Sequence, residues 1–556
     1  MTKNLSTTLG KQKAELVFKN AKVVNVFTKE IITTDVAVNG EVIVGTNNKY
    51  SGLKEIDCKG KYLVPGLIDP HIHLCSSLTT PRNFMSVATN HGVCTVIADP
   101  HEITNVYGHE GLKYYMSDAR LAVGNIYFAL PSCVPASDYE EANVVFKVDD
   151  LARYINLPEV VALGEMMNIN GVLDGNKDVL AKIELFKKHH KVIDGHSPLL
   201  TKHQLQAYIS TGITTNHEAT HYWEIKEHLQ NGIYIFLRHA SYAFVADQEL
   251  VKLFRSGMSL NRCCWCTDDK TVADVQKTGL IDYSIRRAIK LGLSPIEAIC
   301  MGTINPAACY GLRDQGGIAA GYQANILILD NLQKFNIIDV YFKGKKISKF
   351  KPYSKQQREN NRRFYSNVKV DYEVLTHKLK TIKLTQQTEC IKPLPNSILT
   401  KAIKINKNNK FIVNKVVNIE RHKHGKKIGA GWVVDFNITN GALATTIGHD
   451  SHNITAIGSD DSNLILAIKT LQKIHGGYVV VKNNKVIATL PLPIGGLFSD
   501  DNIDNIIKQE NKLNNALNQV ARSHNFNNPF LTMSFLSLTV IPEIRITTTG
   551  LYKMKS

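Results

Sequence analysis

Two histidines that lie two residues apart at the end of an apolar run are the first sign of chemistry in this sequence. His71 and His73 occur in "GLIDPHIHLCSS". Residues two apart on an extended strand point to the same face, so one ion is within reach of both imidazoles. A single histidine at a strand end is more often a packing or capping residue, so the pair alone only raises the hypothesis of a metal site.

More imidazole and carboxylate side chains follow at the ends of other strand-like segments. They are Asp99, His101, Glu102, Glu165, His196, His217, Glu218, Asp268 and Asp269. Imidazole and carboxylate ligands together suit Zn, Fe or Mn. A carboxylate such as Glu165 is able to bridge two ions about 3.5–4 Å apart, as two-metal hydrolytic sites require. The set as a whole predicts a metal site.

The elements that must position these residues lie between residues 62 and 317. Eight strand-like segments alternate there with longer helical stretches, among them "VCTVIADP", "VVALGEM", "KVIDGHS", "ITTNHEA" and "RCCWCTDD". Apolar strands that alternate with helices indicate a parallel sheet buried on both faces. Eight such units in roughly 250 residues fit a (β/α)₈ TIM barrel, whose active site lies at the carboxyl ends of the strands.

Two β-rich segments flank the predicted barrel, and a third region follows them. We expect residues 1–64 and 317–370 to pair into one small β-sandwich beside a barrel of residues 65–316. Residues 371–556, with strands such as "GWVVDF" and helices such as "NLILAIKTLQKIHG", form a predicted C-terminal α+β domain.

Composition narrows the class of protein. The chain has 556 residues, is 44% hydrophobic and 21% charged, and carries a net charge of +17. The N-terminus lacks the apolar region of a signal peptide, and no apolar run approaches the ~18 residues that span a bilayer. We therefore expect a cytoplasmic protein with ten reduced cysteines and no membrane partner.

Two further features favour ordinary structural roles. The "CCWC" segment at Cys263–Cys266 has no second cysteine pair of suitable spacing, so we expect a packing role, with Cys264 and Cys266 as small interior residues of the barrel. The basic stretch between about residues 377 and 427 has no interleaved aromatic set, so we expect a solvated face and no nucleic-acid partner.

The ordered motifs resemble the amidohydrolase superfamily and, within it, the bacterial adenine deaminases. "VPGLIDPHIH" opens the superfamily pattern and "NPAACYGLRDQGGIAAGYQANILILD" closes it. Several segments are similar to adenine deaminases in particular: "ADPHEITNV", "GEMMN", "DGHSPLL", "NHEAT", "CTDDK", "GHDSHNITAIGSDDSNLILAIKTLQ" and "LPLPIGGLFSD". The resemblance covers most of the chain and is weakest over residues 355–425.

The resemblance implies a binuclear metal site and the deamination of adenine to hypoxanthine and ammonia. The implied ligands are His71, His73, Glu165, His196, His217 and Asp268, with Glu165 as the bridge. Manganese is the first choice of metal, with iron next and zinc as a further option. A metal-activated hydroxide would attack C6 of the ring, because bound water has a pKa lowered towards about 7. A homo-oligomer, most plausibly a dimer, is expected.

The catalytic roles implied by this chemistry belong to four side chains. Asp268 would move the water's proton to the departing amine. Glu218 is the first choice and Glu102 the second for protonating ring atom N1. His101 would orient the water or the substrate, or bond a ligand from behind.

Further residues and rival functions stay open at this point. Arg238 and Ser241 fall where relatives carry an R-x-G-S pattern, with Ala240 in place of glycine. His449, Asp450 and His452 either approach the active site or form a polar turn. A cyclic amidase or a deacetylase on the same barrel is the rival enzyme class. A catalytically silent barrel scaffold is the non-enzyme alternative.

Overall fold

The N-terminal segment forms five strands that begin a mixed sheet. The structure is a computed structural model that describes residues 3–347, 353–395, 397–405, 411–521 and 524–554. Strand β1 pairs with β2 in antiparallel fashion and with β4 and β5 in parallel fashion. The elements are helix α1 (Lys3–Thr8) and strands β1 (Ala14–Asn25), β2 (Glu30–Asn39), β3 (Val42–Asn48), β4 (Gly52–Asp57) and β5 (Tyr62–Pro65).

The next eight strands build a barrel. All of its sheet pairings are parallel, in one sheet of five strands and one of three. A parallel bridge between Ile72 and Asp268 joins the last strand to the first. The strands are β6 (Leu67–Ile72), β7 (Val93–Ala98), β8 (Asn125–Leu130), β9 (Val160–Met166), β10 (Val192–Gly195), β11 (Thr215–Asn216), β12 (Tyr234–Arg238) and β13 (Cys263–Cys266).

Helices cover the outside of this barrel. Strands β7 and β13 are buried along their whole length. One face of each strand packs in the barrel interior, and the other face packs against helices. The helices are α2 (Pro81–Ala88), α3 (His101–Ala119), α4 (Val148–Ala152), α5 (Ile169–Leu173), α6 (Lys177–Lys188), α7 (Lys202–Ser210), α8 (Tyr222–Gln230), α9 (Asp247–Phe254), α10 (Val272–Thr278), α11 (Ile281–Lys290), α12 (Pro295–Cys300) and α13 (Ile304–Tyr310).

The chain then returns to the first sheet. Strand β14 pairs in antiparallel fashion with β5, and the two flanking segments form one eight-stranded sheet. Apolar side chains of both segments, among them Phe18, Ile326 and Tyr341, share one buried cluster. The new strands are β14 (Ile326–Asn331), β15 (Asn336–Phe342) and β16 (Lys345–Lys346).

The C-terminal domain is a second eight-stranded sheet with helices. Helix α16 packs on it through Leu464, Ile468 and Leu471. The sheet order is β18-β17-β20-β19-β22-β21-β23-β24. The elements are α14 (Lys355–Asn361), α15 (Tyr372–Thr381), β17 (Glu389–Pro393), β18 (Thr400–Lys404), β19 (Asn414–Ile419), β20 (Ile428–Val433), β21 (Gly441–Thr445), β22 (Ile454–Gly458), α16 (Asp461–Lys473), β23 (Gly477–Lys482), β24 (Lys485–Pro491), α17 (Ile503–Val520), α18 (Pro529–Ser534), β25 (Ile544–Thr547) and β26 (Gly550–Lys553).

The fold class predicted from the sequence is confirmed: an α/β barrel, a β domain built from both flanking segments, and a C-terminal α+β domain. Among the described residues, no helix has the length and apolar character needed to cross a membrane. Within the basic stretch, residues 406–410 lie outside the described residues. Lys415 and Lys427 of that stretch form ion pairs with Asp461 and Glu141.

Candidate active site

The six side chains predicted to bind metal lie together at one end of the barrel. In a parallel barrel the last residues of every strand meet at the same end, which brings distant parts of the sequence together. Each of the six residues is at most 4% exposed. They are His71, His73, Glu165, His196, His217 and Asp268.

Glu165, in β9, lies between two groups of histidines. Its Oε1 is 3.2 Å from His73 Nε2, and its Oε2 is 2.6 Å from His196 Nδ1 and 3.1 Å from His217 Nε2. Burial would raise the pKa of Glu165, but the facing His196 and His73 imidazoles hold it well below its ordinary value. A carboxylate that faces nitrogen donors with both oxygens has the disposition of a bridging ligand.

Asp268 closes the other side of the cluster. Its Oδ1 lies 3.3 Å from His71 Nε2 and 3.2 Å from His73 Nε2. Its Oδ2 accepts hydrogen bonds from Arg238 Nη1 at 3.1 Å and from Tyr242 Oη at 3.4 Å. Asp268 has a φ of 57°, a left-handed conformation that is uncommon outside glycine. The chain therefore turns sharply after β13, where this carboxylate meets His71 of β6 and His73, which follows that strand.

Asp194, in β10, orients the first histidine and is a residue that sequence reasoning missed. Its Oδ2 is 2.8 Å from His71 Nδ1, and the carboxylate is fully buried. A carboxylate that binds one ring nitrogen fixes the tautomer and leaves the other nitrogen free for a metal. The signal was available, because Asp194 and His196 are two residues apart in "VIDGHS" and share a strand face.

Glu218 and Arg238 form a buried ion pair beside the cluster. Both guanidinium Nη atoms donate to the carboxylate, Nη1 to Oε1 and Nη2 to Oε2 at 3.1 Å. Burial would raise the pKa of Glu218, but the Arg238 guanidinium lowers it below its ordinary value. Glu218 Oε1 is also 3.7 Å from His217 Nε2, so this carboxylate stands at the edge of the predicted ligands.

His101 and Glu102, at the start of α3, occupy different positions. Glu102 lies behind the ligand set, with Oε1 3.4 Å from His73 Nδ1. His101 lies at the cavity, where its Nδ1 is 3.8 Å from Glu165 Oε1 and 3.2 Å from Asp99 Oδ1. Glu102 is therefore placed to orient a ligand, while His101 faces the space above the cluster.

The C-terminal domain covers this space. The small cavity above Glu165 is lined by barrel residues and by five side chains of the C-terminal domain: Ile398, His449, Asp450, Phe535 and Leu538. His449 stacks on Phe535 with ring centroids 4.4 Å apart and an interplanar angle of 5°. His101 Nε2 lies 3.6 Å from Asp450 Oδ1 across the domain boundary. The segment "GHDSHN" therefore reaches the site, and we call Gly448–Asn453 the roof loop.

The donor set fits divalent metal ions. Ligand atoms of His71, His73 and Asp268 lie within 4.8 Å of one another, and so do those of His71, Glu165 and His217. His71 Nε2 and His73 Nε2 are only 3.1 Å apart, so the two nitrogens converge on one point. Buried imidazoles and carboxylates without water are costly unless they are paired or hold a metal. The set of four nitrogens and two carboxylates suits Mn, Fe or Zn.

The cysteines of "CCWC" and the side chain of Ser241 pack or form hydrogen bonds outside the group of predicted ligands. Cys263, Cys264 and Cys266 are buried free thiols. Cys264 and Cys266 pack in the barrel interior, whereas Cys263 packs on the other face of β13, where burial raises its pKa to about 12. The Ser241 amide donates to Asp269 O, and Ser241 Oγ accepts from the Thr271 amide. These groups shape the loops that carry the site.

Two family models match most of the chain. The amidohydrolase family model matches residues 62–347, and the adenine deaminase C-terminal domain model matches residues 396–556. An adenine deaminase of Desulfitobacterium hafniense is 39% identical over 99% of this chain and 97% of the relative. An adenine deaminase of Clostridium acetobutylicum is 37% identical over 98% of this chain and 97% of the relative. An adenine deaminase of Bacillus pumilus is 38% identical over 98% of this chain and 96% of the relative.

These matches extend over both the barrel with its buried cluster and the domain that covers it. The chain belongs to the adenine deaminase family of the amidohydrolases.

Proposed function

We propose that this protein hydrolyses adenine to hypoxanthine and ammonia at the cluster around Glu165. The observation that carries the proposal is the position of Glu165, whose two oxygens face His73 on one side and His196 and His217 on the other. This disposition supports a two-metal hydrolytic site, and the small cavity above it, lined by the barrel and the C-terminal domain, supports a small substrate.

His71, His73 and Asp268 would hold one divalent ion and His196 and His217 a second, while Glu165 faces both groups of histidines. Manganese is our first choice, with iron and zinc as alternatives. Divalent ions of this kind lower the pKa of water from 15.7 to about 7 and so supply a nucleophile at neutral pH. Asp194 keeps His71 in the tautomer that presents Nε2 to the cluster.

Glu218 is the proposed proton carrier for the ring. The attack of one water on C6 releases a proton, and ring atom N1 must gain one as the C6–N1 double bond opens. Glu218 lines the cavity and is held as a carboxylate by Arg238, so it is placed to take this first proton and pass it to N1. Glu102, which lies behind His73, remains the second candidate for N1.

Asp268 is the proposed carrier of the second proton. The hydroxyl group now on C6 gives up its proton to Asp268, and Asp268 passes it to the amino group. The C6–N bond then breaks, ammonia leaves, and the C6 carbonyl of hypoxanthine forms. Both protons of the water are used, one at N1 and one at the amine, so both carboxylates finish as they began.

Two basic side chains hold this arrangement in place. Arg238 bonds both Glu218 and Asp268, so it sets the distance between the two proton carriers. His101 stands between Glu165 and the roof loop, where we assign it the orientation of water or substrate. We further propose a cytoplasmic protein that acts as a dimer and needs neither a nucleic acid nor a membrane.

An ammonia-coupled assay with adenine, adenosine and cytosine tests the proposal. We expect ammonia from adenine alone, loss of the activity after chelation, and its recovery with Mn²⁺. Ammonia from adenosine but not adenine would overturn the proposal. A hydantoin and an acetylated amino sugar test the cyclic amidase and deacetylase alternatives in parallel. An inactive protein that binds no metal would support the scaffold alternative.

A further inference from the structure

We propose that Asp450 of the roof loop recognises the imidazole N–H of the free purine base and so excludes nucleosides. This inference rests on the proposed function, because it concerns how the same cavity selects its substrate. It assigns to the C-terminal domain a specificity-determining carboxylate that lies outside the predicted metal ligands.

Asp450 lines the cavity from the roof loop, where several buried polar atoms have no hydrogen-bond partner among the described residues. Asp450 is 2% exposed, and its Oδ1 lies 3.3 Å from His449 Nδ1 and 3.6 Å from His101 Nε2. Its Oδ2 is buried and has no hydrogen-bond partner among the described residues. An ionised carboxylate is an acceptor only, so this oxygen calls for a ligand that carries a hydrogen-bond donor. An unpaired buried polar atom is costly, so a ligand that supplies this donor is favoured.

The loop is held rigidly in this position. On the barrel side, Glu140 Oε2 accepts from Ser451 Oγ at 2.9 Å, while Glu140 Oε1 accepts from the Thr539 amide at 3.0 Å. On the opposite side, the buried Arg421 donates to His452 O and to Gly495 O. Contacts from two sides fix the direction of Asp450, as pre-organised recognition requires.

The required orientation of the base directs one ring nitrogen at this acceptor. C6 and its amino group must face Glu165, Asp268 and Glu218 for the reaction to occur. The far edge of the flat bicyclic ring then points away from the strand ends and toward the roof loop. In the free base that edge carries the N9–H donor. The imidazole of His101 lies between Glu165 and Asp450, so a flat base that reaches from one carboxylate toward the other would lie against this ring.

A nucleoside lacks the N9–H donor and also needs more space at this end of the cavity. Its N9 carries a sugar in place of the hydrogen, so Asp450 Oδ2 stays unpaired and the sugar meets the wall formed by His449 and Phe535. Sites built to bond an N–H reject analogues without it far more strongly than apolar pockets reject a missing methylene, because the buried polar group is left unpaired.

The test pairs a change in the protein with a change in the ligand. Kinetics are measured with adenine and 9-methyladenine, and equilibrium binding with the unreactive pair hypoxanthine and 9-methylhypoxanthine. The proteins are the metal-loaded wild type, Asp450→Asn and Asp460→Asn. Asp460 is the matched control, because it lies in the same domain and caps α16 away from the cavity.

We expect the wild type and Asp460→Asn to prefer each unmethylated ligand by about 10- to 100-fold, the range of a hydrogen bond to a charged group. In Asp450→Asn this preference should fall to about threefold or less, because the unmethylated ligand binds more weakly. The metal content should stay unchanged. A preference that persists in Asp450→Asn would overturn the inference, and so would a wild type without preference.

If Asp450→Asn does not fold, Asp450→Ser is measured by the same criterion. A wild type that releases no ammonia from adenine refutes the proposed function instead, while the hypoxanthine binding comparison still decides the role of Asp450.

Discussion

The cluster of six predicted metal ligands and the roof loop line one cavity but are built in different ways. Every cluster residue lies within two residues of the carboxyl end of a barrel strand, so backbone hydrogen bonds of the parallel barrel fix its position. The roof loop follows β21 of another domain, and side-chain contacts such as those of Glu140 and Arg421 fix it. Chemistry is thus placed on the rigid sheet, and selection of the substrate on a loop that covers it.

This difference predicts that changes in the cluster reduce metal binding and turnover, whereas changes at the roof loop reduce ligand recognition at full metal content.

Glu165→Gln should abolish both metal binding and activity, because the amide replaces the one negative charge that faces both groups of histidines. Metal analysis of the purified protein and the adenine assay give the measurement. The control is Glu184→Gln, whose side chain is 70% exposed on α6. A Glu165→Gln protein with wild-type metal content would remove Glu165 from the bridging position.

Glu218→Gln should lower kcat about 10²- to 10⁴-fold, the range of general acid–base catalysis, while metal stays bound. The amide is unable to carry the proton to N1, but it keeps the size of the side chain beside Arg238. Steady-state kinetics with adenine measure the effect. Glu102→Gln is the comparison, because Glu102 lies behind His73; a larger kcat loss there would make Glu102 the proton carrier.

Asp194→Asn should weaken metal binding or activity about 10- to 100-fold, as expected for a group that orients a ligand from behind. The reason is the lost charge at His71 Nδ1, 2.8 Å away. Titration of the metal-free protein with Mn²⁺ measures the shift. If the affinity for Mn²⁺ matched the wild type and activity were intact, His71 would not depend on this carboxylate.

Glu140→Ala should loosen the roof loop and leave the cluster intact. It removes the acceptor of Ser451 Oγ and the Thr539 amide, so we expect a loss of about 1–3 kcal/mol in the free energy of unfolding and a raised KM for adenine. Denaturant unfolding and kinetics measure the two effects.

The neighbouring Glu141→Ala is the matched control for Glu140→Ala. Glu141 pairs with Lys427 at the surface, and such pairs contribute about 0–1 kcal/mol. Equal effects of the two substitutions on KM would show that Glu140 has no special hold on the roof loop.

The contrast between the strand-end cluster and the roof loop also explains which features were predictable from the sequence. The fold and the cluster were predictable from the sequence. Residues such as His71, His73 and Glu165 lie near strand ends, and the barrel topology brings these ends together. Asp194 was missed although its spacing to His196 places it on the same strand face. The contact between Glu218 and Arg238 depends on side-chain packing across two strands, which spacing does not specify.

The roof loop was the least predictable part. Its motif suggested an approach to the active site, but a polar turn was an equal interpretation. Its place over the cavity depends on contacts such as Glu140 with Ser451, whose residues are 311 positions apart in sequence. Neither composition nor periodicity encodes such a contact.

A titration of the metal-free protein with Mn²⁺ tests whether Glu165 bridges two metal ions. Adenine-dependent ammonia release is measured as Mn²⁺ is added in known proportion to the chain, with bound metal determined on the same samples. We expect activity to rise until two ions are bound per chain and then to stay constant. Full activity with one ion per chain, or activity without metal, would refute the two-metal site.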